Sequence, residues 1–126
     1  MSLRTPLARA RGLGIGHHGT HHWWAERLSA LALVPLVPWF AISLARLTGA
    51  DHATVVAWLG RPLNTVLTLL LIGALFHHAQ HGVQVVIEDY VHSHARKLAA
   101  QLAVKAATAL FGVAAAFAVL KVALGG

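Results

Sequence analysis

The sequence predicts an all-α membrane protein with three transmembrane helices. Three observations predict it: runs at 28–45 and 62–87 without a charged side chain and one at 98–120 with a single lysine, a composition 57% apolar and 11% charged, and basic residues gathered at the edges of those runs. A water-soluble domain is nearer a quarter charged, because a single core of this size leaves most of the surface facing solvent. The same apolar content excludes disorder. With no cysteine, the chain carries no disulfide framework and ligates no iron–sulfur cluster itself. The net charge of +6 brackets apolar runs instead of forming a stripe, so it reads as a topology signal and not as a nucleic-acid footprint.

The first span, about 24–46, is built on the eighteen uncharged residues Leu28 to Ala45, held between Glu26–Arg27 and Arg46. That run matches the thickness of a bilayer core. Pro35 and Pro38 within it predict a kink and not an end, because neighbouring helices can satisfy the freed carbonyls. The second span, about 62–88, opens with Pro62 in a first-turn position and carries His77, His78 and His81. The third, about 98–121, is alanine-rich, with Gln101 and Lys105 near its start where a long side chain snorkels. The whole chain, 1–126, reads as one membrane-anchor domain.

Arg4, Arg9, Arg11, Arg27, Arg96, Lys97 and Lys105 lie on one face, against Arg46, Arg61 and Lys121 on the other. The positive-inside rule therefore predicts a cytoplasmic N-terminus, a cytoplasmic loop at 88–97, an external loop at 47–61 and a periplasmic C-terminus. Residues 1–22, with Gly12, Gly14, Gly16 and Gly19 among basic residues, read as a flexible cytoplasmic lead-in without a signal-peptide pattern. GlyLeuGlyIleGly within it has no preceding strand and is not a dinucleotide-binding run.

Ten histidines in so apolar a chain demand a reason, since imidazole in a membrane is costly. His77 and His81 are four apart and His78 and His81 three apart, so either pair shares a helix face and could chelate a metal ion, though no nearby carboxylate or thiol completes a closed site. A b-type haem asks for one axial imidazole from this helix and one from elsewhere. His78 has the best surroundings for a flat macrocycle, with Ala74 one turn before it and Gly82 one turn after. The competing reading makes the three histidines polar glue between helices. His17, His18, His21 and His22 read as interfacial residues in a stretch without preformed geometry. Tyr90, twelve residues and about 18 Å beyond His78, can donate to a carbonyl oxygen at the membrane interface with Asp89 to orient it, or can be an ordinary aromatic-belt residue. Arg27 can snorkel to lipid phosphate or pair with an anionic cofactor group such as a haem propionate.

Three spans of this length, HisTrpTrp ahead of Arg27 and a small-residue pair, and HisAlaXaaXaaGly from His78 running on to Asp89Tyr90 together resemble the hydrophobic membrane anchor of bacterial succinate dehydrogenase, over nearly the whole chain. The resemblance implies that His78 is an axial ligand of haem b, that Arg27 lies near the haem propionates, and that Tyr90 and Asp89 belong to the ubiquinone site. It implies a flavoprotein subunit, an iron–sulfur subunit and a second, cytochrome b anchor subunit as partners, the last supplying the other axial histidine and completing a helical bundle. It also implies the bacterial inner membrane as the location. The chain departs from the pattern at Glu26, where a neutral polar residue is expected, and in carrying His77 and His81 beside the expected ligand. The neighbouring alternatives are the anchor of a fumarate reductase and, from another class, a small histidine-lined metal transporter.

Overall fold

A computed structural model describes residues 5–7 and 16–125, with the backbone alone at 16–19. Arg4, Arg9, Arg11, Gly12 and Gly14 of the lead-in, and the side chains of His17 and His18, lie outside the described residues. Within them the chain forms four helices: α1 (Gly16–Arg46), α2 (His52–Leu59), α3 (Pro62–Tyr90) and α4 (His94–Ala123). α1 (over Thr20–Arg46), α3 and α4 are long and apolar enough to cross a membrane. The predicted all-α class and the number of spans both hold.

Two expectations change. The lead-in is helical from Gly16 onward, so His21 and His22 sit on the first turns of α1 rather than in a flexible stretch. The physical reason is that helix propensity is a weak preference, and the two glycines at 16 and 19 are outweighed once the following turns pack on α3. The loop at 47–61, expected to be external, contains α2, whose N-cap is Asp51: its carboxylate accepts from the Thr54 N–H at 2.9 Å and from the Thr54 hydroxyl. Acidic N-caps hold otherwise marginal short helices by satisfying an orphan donor.

α1 continues through Pro35 and Pro38, so neither proline ends it. The chain turns at Gly49, whose φ of 80° is the left-handed conformation that glycine adopts without steric cost, and the Ala50 N–H closes the turn on the Leu47 carbonyl at 3.0 Å. The carbonyls at the end of α2 are taken up by the first turn of α3, where the Asn64 amide donates to Trp58 O at 2.8 Å and the Thr65 hydroxyl to Leu59 O at 2.6 Å. Trp58 in turn stacks on Trp39 of α1, with ring centroids 5.8 Å apart. The end of the molecule that carries α2 is thereby pinned by local polar bonds and one aromatic pair.

α3 is the central helix. It packs on α1 along one side and on α4 along the other, and no backbone contact joins α1 to α4 among the described residues. A layer one helix thick cannot bury much: Leu71 and Ile87 are the buried apolar residues, whereas Val34, Leu110, Val113 and Phe117 are each about two-thirds exposed. In water such faces would aggregate; in a bilayer they meet lipid or another membrane helix.

Candidate functional site

The two seams of α3 are built differently. Toward α4, Phe76 lies against Gly112, where an added Cβ would meet the Phe76 ring at 3.5 Å. One turn on, the Thr108 hydroxyl lies 3.1 Å from the Gln80 side-chain amide. At the end of the seam Glu88 is clamped, its carboxylate accepting from Gln84 at 3.0 Å and from Gln101 of α4 at 3.3 Å, and its backbone carbonyl accepting from Lys97 at 3.2 Å. Polar pegs at intervals with close apolar contact between them make a closed helix pair.

Toward α1 the seam is open. A groove of about 510 Å³ runs between α1 and α3, lined by Ala32, Leu36, Val66, Leu69, Leu70, Gly73 and Ala74. Nothing lies within 4 Å of the position where a side chain would start on Gly73 or Gly82. Between those two glycines the histidines come forward. His78 approaches Ser29 of α1, its Nδ1 lying 3.4 Å from the Ser29 hydroxyl oxygen, and Ser29 itself is only 7% exposed. The Nε2 of His78 makes no hydrogen bond to any described residue.

His81 is differently placed. Its Nδ1–H donates to the backbone carbonyl of His77 at 2.9 Å, so in the neutral ring Nε2 is an acceptor, and the Nδ1–H of His22 fills it at 3.2 Å. Both nitrogens of His81 are therefore engaged within the chain. The His77 ring lies beside it at a tilt of 53°, centroids 4.3 Å apart. The glue reading thus describes His22 and His81, which join α1 to α3 one turn beyond His78. Sequence reading missed this pairing because residues 59 apart give no local signal of contact. Among the described residues no three His, Asp or Glu side chains converge in a geometry that holds a metal ion.

The remaining expected residues lie apart from His78. Arg27 is two residues before Ser29, roughly 200° around the helix, and so faces away from α3. Its guanidinium lies over the Trp23 ring, 5.1 Å from the centroid, where cation and π face attract. Asp89 and Tyr90 end α3 and are exposed, Tyr90 by 78%. Tyr90 opens onto a crevice of about 610 Å³ shared with Val91, His92, Ser93, Arg96 and Ala100. The Glu88 clamp accounts for this: the residue before Asp89 is held against α4, so the next two turn outward. The sequence assigned no role to Ser29, noted only as part of the small-residue pair after Arg27, or to Glu88, an acidic residue at a helix end.

The donor set suits a planar iron cofactor held from one side. His78 has an unengaged Nε2, small residues flank it one turn either way where His77 has His81 on one side, and an open groove lies beside it. The opposite axial position is not supplied by this helix layer.

The profile of the succinate dehydrogenase/fumarate reductase transmembrane subunit matches residues 1–119. The chain is 38% identical over 99 residues to a succinate dehydrogenase hydrophobic membrane anchor subunit of Paracoccus denitrificans, covering 79% of this chain and 77% of that one. It is 31% identical over 103 residues to the protein of the same description in Rickettsia bellii, covering 82% of each. A succinate dehydrogenase membrane anchor subunit of Reclinomonas americana is 30% identical over 83 residues, or 64% of this chain and 69% of the relative. No solved structure matches the chain. The chain, with three membrane-crossing helices and this similarity along most of its length, belongs to the succinate dehydrogenase/fumarate reductase transmembrane subunit family.

Proposed function

We propose that this chain anchors a succinate dehydrogenase in the bacterial inner membrane, holds one face of a haem b through His78, and contributes Tyr90 and Asp89 to a ubiquinone-reducing site. The observation that carries the reading is the difference between His78 and His81. Of these two imidazoles on the open side of α3, His81 has both nitrogens bonded within the chain and His78 has Nε2 free.

When bound, haem b supplies a one-electron redox centre within the span. The chain's own residues do the rest. His78 would hold the group through Nε2, with the small residues Ala74 and Gly82 one turn either side of it and nothing within 4 Å of the Gly82 Cβ position. Arg27, exposed and turned away from α3, presents a guanidinium suited to a propionate carboxylate on the side where a second anchor subunit would pack. That subunit would supply a second histidine to hold the group from its other side.

Quinone reduction takes two electrons and two protons. The electrons arrive from succinate through the flavoprotein and iron–sulfur partners, in keeping with a chain that has no cysteine. The Tyr90 phenol donates a hydrogen bond to a quinone carbonyl, and Asp89 beside it holds the phenol or passes on a proton drawn from the cytoplasm. An N-terminus on the cytoplasmic side, as the basic residues predict, puts Tyr90 on the face where the soluble partners dock and the C-terminus in the periplasm. Succinate oxidation is favoured over the reverse direction because the relatives matched above are described as succinate dehydrogenase subunits.

The test is the reduced-minus-oxidised absorbance spectrum of the complex purified through a tag on this chain, with wild type beside His78→Ala and Tyr90→Phe. The expected result is a b-type signal lost or strongly altered in His78→Ala. In Tyr90→Phe the signal stays intact while quinone reductase activity falls on the order of 10²-fold, the scale of a lost acid–base group. A wild-type complex without a b-type signal overturns the haem assignment, and unchanged activity in Tyr90→Phe removes Tyr90 from the quinone site.

A further inference from the structure

Ser29 is nearly buried at the one point where α1 meets His78, and its hydroxyl serves two neighbours. It lies 2.8 Å from the backbone carbonyl of Glu26, one turn earlier on α1, and 3.4 Å from Nδ1 of His78. A hydroxyl carries one proton. A carbonyl oxygen can only accept, so the short contact to Glu26 commits that proton, and toward His78 the Ser29 oxygen offers only a lone pair. Nδ1 must then carry the hydrogen and donate it. In a neutral imidazole with Nδ1–H, the free lone pair is on Nε2.

We infer that Ser29 is the positioning residue for the His78 ligand: through Glu26 O···H–Oγ···H–Nδ1 it selects the tautomer with Nε2 free for iron, sets the plane of the ring, and raises the basicity of the ligand. The inference rests on the haem reading above. Outer hydrogen bonds of this kind orient histidine ligands in metal sites generally and push electron density toward the metal. A more basic imidazole stabilises the oxidised iron, so Ser29 holds the haem potential below the value it would have with an unsupported ring. The Ser29 contact adds a device that no spacing rule predicts, since residues 29 and 78 meet only when α1 packs on α3.

The experiment compares the assembled complex with its Ser29→Ala and Ser29→Thr variants in a redox titration of the haem b absorbance, with the low-spin ferric EPR spectrum recorded on the same samples. In Ser29→Ala the midpoint potential moves up and the EPR g-values shift, because the ring loses its hydrogen-bond acceptor and its fixed plane. Ser29→Thr keeps the hydroxyl and returns both readouts to wild type. A residue that only filled space between α1 and α3 would change the yield of complex in Ser29→Ala and leave the potential and g-values alone, which overturns the inference. Should Ser29→Ala not assemble, Ser29→Thr against Ser29→Val, equal in shape and different only in the hydroxyl, decides the same question. The two readings fail separately. A wild-type complex with no b-type haem sinks both, whereas a normal haem whose potential ignores Ser29 sinks this one alone.

Discussion

The two sides of α3 pack by different rules. Toward α4 the seam is filled: Phe76 rests on Gly112, Gln80 meets Thr108, and Glu88 is held by Gln101 and Lys97. Toward α1 it is left open, with a groove of about 510 Å³, two glycines whose side-chain positions are empty, and histidines in place of apolar interlock. Membrane helices gain nothing from hiding apolar surface from water, so contact between them has to come from close fit and hydrogen bonds. A seam that forgoes close fit forgoes stability, and the structure makes that concession where a flat ligand would lie. One side of α3 is therefore closed by packing, and the other is the side on which the proposed cofactor would lie.

The sharpest way to break this contrast is a bulky residue on the open side. Gly82→Leu starts a side chain at a position where an added Cβ meets nothing within 4 Å, so α1, α3 and α4 are expected to assemble as before. That side chain occupies space one turn from His78, and the expected result is a complex of normal yield with its haem b absorbance lost. A complex that keeps full haem would show that the open side is merely loose packing. The size of the effect follows from the all-or-none nature of axial ligation, which makes it larger than any effect on packing alone.

The mirror experiment is smaller. Gly112→Leu on the closed side drives a side chain into the Phe76 ring, which a Cβ alone would already meet at 3.5 Å. Overpacking of a well-filled contact costs about 1–3 kcal/mol. Thermal denaturation followed by loss of the assembled complex should therefore shift down, while haem per assembled complex stays at the wild-type level. If instead Gly112→Leu removed haem at normal stability, the division of labour between the two seams would be wrong.

The fold was legible because its signals are local. Apolar runs bounded by Arg27, Arg46, Arg61 and Arg96 mark the three spans, and a run's length against bilayer thickness needs no knowledge of its neighbours. The preference for His78 among three histidines as the proposed ligand rests on local signals too, since Ala74 and Gly82 are one turn away on the same helix. What escaped was everything that depends on one helix meeting another. The Ser29–His78 and His22–His81 contacts join residues 49 and 59 positions apart, and Glu88 gains its role only from Gln101 and Lys97 across a turn. α2 escaped for a different reason. Eight residues with no Asp, Glu, Lys or Arg are too few for a periodic pattern, and the N-terminal signal of that helix is a single aspartate.

That aspartate supplies the smallest effect and a control for the other two, because it lies outside the spans and touches neither seam of α3. The Thr54 hydroxyl, and then the Thr54 backbone N–H, hold the Asp51 carboxyl below the usual carboxylate range. A group whose folded pKa is depressed contributes stability above its unfolded pKa and loses it as pH falls through the folded one. The cap on α2 is therefore intact at neutral pH and weakens only in acid below the ordinary carboxylate range. In the full chain in detergent micelles, the Thr54 amide chemical shift should titrate with a midpoint under the value for a free aspartate. In Asp51→Asn, which keeps the cap acceptor and removes the charge, the same amide should not respond over that window. A midpoint at or above the ordinary value would mean the cap is not formed in solution. A wild-type titration that also moved the resonances of Ser29 or Thr108 would mean that α2 and the two seams are coupled, and that the contrast between the sides of α3 has to be tested with α2 held fixed.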